Sequence, residues 1–115
     1  MATSLTVPPI LVAETVTQAT NITTAVTSNA KAGVITTQTG DVGANQNVTF
    51  QFNNSYIAAD SVVLACLRVT SATFGTGNPC IQMNGQGAGQ VNIVIQNADN
   101  QATGANTFEI SYIVL

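Results

Sequence analysis

The segment Val48-Thr49-Phe50-Gln51-Phe52-Asn53 decides the fold class, because apolar and polar side chains alternate along it. Successive side chains of an extended strand point to opposite faces, so Val48, Phe50 and Phe52 would share one buried face. Residues 91–96 and 107–115 follow the same period of two, and no window sustains a period of 3.6. The side chains predicted to face inward in these two stretches are Val91, Ile93, Ile95, Phe108, Ile110, Tyr112 and Val114.

The composition supports strands as well. The chain has 115 residues, of which 17 are Thr and 12 are Asn. Thr, Val and Ile suit a half-buried pleated surface, whereas Asn and Gly supply the turns between strands. Short strands between turns rich in Gly and Asn predict an all-β fold, a single antiparallel β-sandwich resembling a jelly roll.

The first thirty residues differ from the rest of the chain. Their Thr- and Ala-rich stretches would pack weakly as strands, and Pro8-Pro9 keeps the chain extended around it. We therefore predict an extended N-terminal arm over residues 1–30, followed by the sandwich domain over residues 31–115.

Residues 61–69 are apolar on both faces, which predicts a central strand covered on each side or a strand that faces a partner. Arg68 would then end at the rim, or pair with a carboxylate across a subunit contact. Cys66 and Cys80 flank a predicted hairpin, where they would lie opposite each other. Two buried thiols acting as small hydrophobes are the preferred interpretation, and a disulfide is the alternative.

Charge excludes several classes of function. The chain carries two basic and five acidic residues and no His, so charged residues make up 6% of it, against about 25% in an average domain. Two cations cannot neutralise a run of phosphates or form a polybasic membrane patch, which argues against nucleic-acid and membrane partners. The longest apolar run, residues 62–67, is far shorter than the roughly 20 residues of a membrane-spanning helix.

The sequence also contains few residues that could bind a metal ion or act in catalysis. Without His, a closed zinc site would need a cluster of carboxylates, and the sequence shows none, so we predict neither metal nor cofactor. Asp41, Asp60 and Asp99 lie in turn-forming contexts, and nothing in the sequence supports a catalytic pair among them. We therefore predict that the chain is not an enzyme. Residues 1–12 lack Lys and Arg, which argues against an export signal and predicts synthesis in a cytoplasm with reduced thiols.

A nearly uncharged surface suits association between copies, because repulsion between them is small. Strands that are apolar on both faces, together with the arm, predict a symmetric homo-oligomer in which the arm docks on a neighbouring subunit.

Three segments carry a resemblance to a known group of proteins: Ala32-Gly33-Val34-Ile35-Thr36-Thr37, Ser61-Val62-Val63-Leu64-Ala65, and the final stretch from Phe108 to Leu115. With the Asn54-Ser55 turn, they resemble small β-sandwich domains of tailed-bacteriophage virion proteins over residues 32–115. The resemblance implies a homotrimeric capsid cement (decoration) protein, made in the host cytoplasm, that binds the major capsid protein on the exterior of the virion.

The same resemblance leaves a second function open, a tail-fibre or spike tip that binds a host receptor or glycan. Tyr56 and Phe74 are the aromatic residues that the predicted core leaves for such a site. For the cement protein, we predict that the arm contacts the capsid lattice through five consecutive residues: Val7, Pro8, Pro9, Ile10 and Leu11.

Overall fold

A computed structural model describes residues 13–70 and 75–115 of the chain. These residues form eight strands and no helix, arranged as two four-stranded sheets packed face to face. The strands are β1 (Ala13–Thr17), β2 (Val26–Thr27), β3 (Ala32–Thr36), β4 (Asn47–Asn53), β5 (Val63–Val69), β6 (Pro79–Gly87), β7 (Gln90–Asn97) and β8 (Phe108–Val114). The predicted all-β sandwich is confirmed.

Sheet A has the strand order β1-β3-β8-β5, and sheet B has the order β2-β4-β7-β6. Of the eight strands, β6 and β7 are the one consecutive pair that shares a sheet, and Gly89 takes a positive φ of 78° in the tight turn between them. Every other connection crosses between the sheets. Two successive crossings restore the chain direction, so β1 pairs with β3 and β2 pairs with β4 in parallel, whereas the remaining pairs are antiparallel as predicted.

Residues 13–30, which we predicted as the second part of the arm, contribute one strand to each sheet. Val26 is buried and Val16 packs against the core, so both N-terminal strands gain apolar contacts with the sandwich. Between them, the buried Gln18 amide donates to the carbonyls of Ile22 and Thr24 and holds the connecting turn. This part of the chain is therefore integrated in the domain.

The core lies between the sheets and includes the side chains that the period of two pointed inward, of which Val48 is only partly buried. Phe50, Phe52 and Phe108 are almost completely buried, and the Phe52 and Tyr112 rings meet edge to face with centroids 4.7 Å apart. The inward assignments for β4, β7 and β8 are confirmed. The other buried members of the core are Val26, Ile35, Val42, Ile57, Val63, Val91, Ile93, Ile95, Ile110 and Val114.

Gly33 on β3 lies opposite Tyr112 on β8 and beside Glu14 on β1. A Cβ at this position would collide with the backbone carbonyl of Glu14 and come within 3.0 Å of the Tyr112 hydroxyl. The absence of a side chain at Gly33 thus lets the Tyr112 ring lie across β3.

The expectation that residues 61–69 form a central strand is wrong. Among the residues that the structure describes, strand β5 is the outermost strand of sheet A, and it pairs with β8 alone. Val63 is buried and Ala65, Leu67 and Val69 are half-buried on the inner face, whereas Leu64 is exposed on the outer face. The apolar run is continuous because Leu64, which faces outward, is apolar, and not because the strand is buried on both faces.

Both interpretations of the cysteine pair are wrong. Cys66 lies on β5 in sheet A and Cys80 on β6 in sheet B, so the two residues do not belong to one hairpin. Both are free thiols, and both are exposed, because the inward positions of these strands are taken by their neighbours in sequence.

Candidate association surfaces

The outer face of sheet A carries a cluster of exposed apolar side chains next to the edge strand β5. Val62, Leu64 and Leu115 are 53%, 51% and 69% exposed. Leu64 lies opposite the half-buried Ile113, and the Leu115 amide donates to the Val62 carbonyl at 2.9 Å, so the four side chains are neighbours. We call these four residues, Val62, Leu64, Ile113 and Leu115, the apolar patch.

Beside the apolar patch, the outer face forms a shallow depression of about 300 Å³. Its lining is made by two adjacent strands, β5 and β8: Leu64, Ala65, Cys66, Ser111, Tyr112 and Ile113. Cys66 and Ser111 lie directly opposite each other there. The depression lacks charged lining residues, so it suits contact with neutral protein surface better than capture of an ionic ligand.

The other end of this face holds a single ion pair. The Arg68 guanidinium on β5 contacts the Glu109 carboxylate on β8, its direct cross-strand neighbour. The hydrogen bond with Glu109 and the negative charge of Glu109 raise the pKa of Arg68 above its ordinary value. Arg68 thus pairs with a carboxylate of its own chain, and the outer face of sheet A carries no net charge from this pair.

The outer face of sheet B has a different chemistry. Strands β4, β6 and β7 contain no Asp, Glu, Lys or Arg, and their outward side chains are mostly amides. The Gln51 amide donates to Asn53 and to Gln90 at 2.9 and 2.6 Å, and the Asn92 amide donates to Asn84 at 3.2 Å. We call the following outward residues the amide face: Asn47, Thr49, Gln51, Gln82, Asn84, Gln90, Asn92 and Gln96.

A polar cluster connects the N-terminal strands to β8. The buried Tyr112 hydroxyl lies 3.0 Å from the Ser28 hydroxyl, which in turn lies 3.0 Å from the Glu14 carboxylate. Burial raises the pKa of Tyr112, and the hydrogen bond with Ser28 opposes this rise in part. The phenol therefore keeps its proton at neutral pH, and the cluster acts as a hydrogen-bonded link between β1, the segment after β2, and β8.

Among the described residues, one aromatic ring lies outside the core. Tyr56 is about half exposed, and the Lys31 ammonium lies 5.4 Å from the centre of its ring, within the range of a cation–π contact. Tyr56 is one of the two aromatic residues named for a receptor site, and the other, Phe74, lies outside the described residues.

The predicted lattice-contact residues, Val7, Pro8, Pro9, Ile10 and Leu11, also lie outside the described residues. The apolar patch was missed by reasoning from the sequence alone, although a signal for it exists. Arg68 shares its phase on β5 with Cys66 and Leu64, and a charged residue in a strand marks the phase that faces solvent.

Within residues 13–70 and 75–115, no three His, Cys, Asp or Glu side chains lie together in a group that could hold a metal ion. The same part of the chain has no helix long and apolar enough to cross a membrane. Comparison with protein-family models, with curated proteins and with solved structures yielded no match.

Proposed function

We propose that this chain is a structural protein of a phage particle, a capsid cement protein that binds the assembled head from outside as a homotrimer. The observation that carries the proposal is the chemistry of the two broad faces. One face displays amides without charge, and the other displays the apolar patch with a single internally paired Arg and Glu. Such faces favour packing against protein surfaces, because neither presents an unpaired charge that would lose its hydration on contact.

The mechanism is stabilisation by mass action. A protein that binds the assembled lattice and not its dissociated subunits lowers the free energy of the assembled state, by about 2.7 kcal/mol per site at a concentration of 100 Kd. Repetition over a shell multiplies this effect. The arm residues Val7 to Leu11 supply the apolar contact with the major capsid protein in this proposal.

The test is co-sedimentation of the purified chain with expanded heads of the phage that encodes it. We expect saturable binding at a fixed ratio to the major capsid protein, and heads that survive heating to a higher temperature once saturated. Absence of binding to these heads would exclude the cement function.

A matched pair of variants tests the role of the arm. Ile10→Asp/Leu11→Asp should still form oligomers but should lose binding to heads, because two charges replace apolar contact area. Thr3→Asp/Ser4→Asp adds the same charge nearby and should keep binding. Retained binding by the first variant would exclude the arm as the lattice anchor.

The amide face favours a second function, recognition of a host glycan by a fibre or spike tip. Amide groups donate and accept hydrogen bonds without charge, which matches the hydroxyl groups of neutral sugars. The test is a glycan array probed with the purified chain. A specific signal that Gln51→Ala abolishes and Leu64→Glu retains would favour this function over the cement function.

A further inference from the structure

We infer that copies of this chain contact each other through the apolar patch and the adjoining edge of β5. This inference rests on the homo-oligomer in the proposed function, and it adds the surface that forms it. Three observations carry the argument: the state of the sheet edges, the position of the exposed apolar residues, and the distribution of charge.

Among the four edge strands of the described residues, β5 has the longest run in regular register. Strand β2 has only two residues, and β1 has five and carries the charged Glu14 in its inward phase. Strand β6 begins at Pro79 and has a bulge between Asn84 and Gly87. Short length, charge, Pro and bulges are the devices that protect sheet edges. Of these, β5 has only the outward charge of Arg68, which is paired with Glu109, and its seven residues keep regular register.

The hydrogen bonds of β5 show which backbone groups this edge offers. The Val62 carbonyl accepts from Leu115, and the Thr70 amide donates to Thr107, so the even-numbered residues bond towards β8. Antiparallel pairing alternates along a strand, so the amides and carbonyls of Val63, Ala65, Leu67 and Val69 point away from β8. No strand in the described part of the chain pairs with them.

The exposed apolar residues lie next to this edge. The described residues include four exposed large hydrophobic side chains, and three of these belong to the apolar patch. The fourth, Tyr56, is covered on one side by Lys31. A regular edge that no described strand covers and an apolar patch at the same place are the two features expected of a surface that another subunit covers.

The charge distribution favours a second copy over a strongly charged partner as the occupant. Arg68 and Glu109 neutralise each other within one chain, so a copy that packs on this face meets no unpaired charge and brings none. A strongly acidic or basic partner would gain no electrostatic attraction here.

The first experiment measures self-association by sedimentation velocity. Leu64→Glu puts a charge into the patch at an exposed position, so it should leave the fold intact and raise the dissociation constant at least about 30-fold, as for an interface hot spot. Gln82→Glu adds the same charge at an exposed outward position on β6, the corresponding edge strand of sheet B, and should change the dissociation constant less than about threefold. Matching circular dichroism and thermal unfolding of the two variants verify the fold.

The second experiment uses the two cysteines as reporters, one on each outer face. A variant that keeps only Cys66 (Cys80→Ser) and one that keeps only Cys80 (Cys66→Ser) are labelled with a maleimide. In the oligomer, we expect Cys66 to react at least about tenfold more slowly than it does after Leu64→Glu is added, because the contact excludes the reagent. Labelling of Cys80 should be the same with and without Leu64→Glu.

The outcomes separate this inference from the proposed function. An oligomer that binds heads, survives Leu64→Glu and leaves Cys66 unprotected would overturn the inference and leave the cement function standing. A monomer that binds heads would also overturn the inference. A chain that associates through Leu64 but does not bind heads would support the contact surface and exclude the cement function.

Discussion

The buried side-chain amide of Asn97 forms hydrogen bonds with five backbone groups in three separate loops. The Asn97 side chain donates to the carbonyls of Val42, Gly43 and Gln101 at 2.8–3.2 Å, and it accepts from the amides of Asn78 and Asp99. The other buried polar side chains of the described residues are also hydrogen-bonded. A chain with few ion pairs therefore fixes its loops through uncharged side chains that replace the hydrogen bonds of water.

This role predicts the effect of one substitution. Asn97→Ala leaves several buried backbone groups without partners, so we expect the free energy of unfolding in urea to fall by about 3 kcal/mol. Asn92→Ala removes an amide from the exposed amide face and should change it by less than about 0.5 kcal/mol. Equal losses for the two variants would contradict the role assigned to Asn97.

The pKa of Tyr112 predicts a dependence of stability on alkaline pH. Because burial raises this pKa in the folded state, the folded chain holds the phenolic proton more tightly than the unfolded chain does. The resulting contribution to stability is complete below the ordinary tyrosine pKa of about 10 and is lost as the pH rises through the folded-state value.

Urea unfolding measured from about pH 8 to about pH 11 tests this prediction. Tyr112→Phe should remove part of the alkaline loss of stability, whereas Tyr56→Phe, outside the Ser28 cluster, should retain it. A wild-type stability that rises over this range, or an unchanged alkaline loss in Tyr112→Phe, would refute the assignment.

For single strands, the period of two was sufficient wherever the polar residues alternate cleanly. It located β4, β7 and β8 and their inward side chains, because Gln51, Asn92 and Glu109 mark the outward phase. It failed for β5, since an apolar outward residue such as Leu64 cannot be distinguished from a buried one by its type. The strands β1 and β2 were missed as parts of the sheets because their stability depends on pairing with β3 and β4, which local sequence does not show.

The close contact of β1, β3 and β8 at Gly33 predicts the effect of a second substitution. Gly33→Ala places a methyl group against the Glu14 carbonyl and the Tyr112 ring, so we expect a loss of about 1–3 kcal/mol of unfolding free energy. Gly87→Ala on β6 is the matched control, because a Cβ there meets nothing within 4 Å. Its effect should be small, and a larger loss for Gly87→Ala than for Gly33→Ala would contradict this account of the close approach.

The order of the strands could not be predicted from the sequence either. Cys66 and Cys80 were assigned to one hairpin because consecutive strands often pair, yet the chain crosses to the other sheet between them. The candidate contact surface depends on the same information. The pairing of β5 with β8 brings together the four residues of the apolar patch, Val62, Leu64, Ile113 and Leu115. The two strands lie far apart in the sequence, so this neighbourhood cannot be read from it.

At the scale of the whole molecule, the small number of charges predicts that association is insensitive to salt. Contacts between copies through the apolar patch and the edge of β5, as we infer them, would not be weakened by ionic screening. We expect the dissociation constant from sedimentation to change less than about threefold between about 0.05 and 1 M NaCl. A tenfold or greater weakening in high salt would show that ion pairs between copies dominate the contact.

The two broad faces differ in what they would present to the surroundings of an assembly. When copies meet through the aliphatic side of sheet A, every subunit turns the same carboxamide layer of sheet B towards bulk water. Asn and Gln bind water through uncharged donors and acceptors, so this layer would be hydrated without adding to the formal net charge of −3 that each chain carries. The carboxamide layer would therefore not adhere to other particles through exposed hydrocarbon.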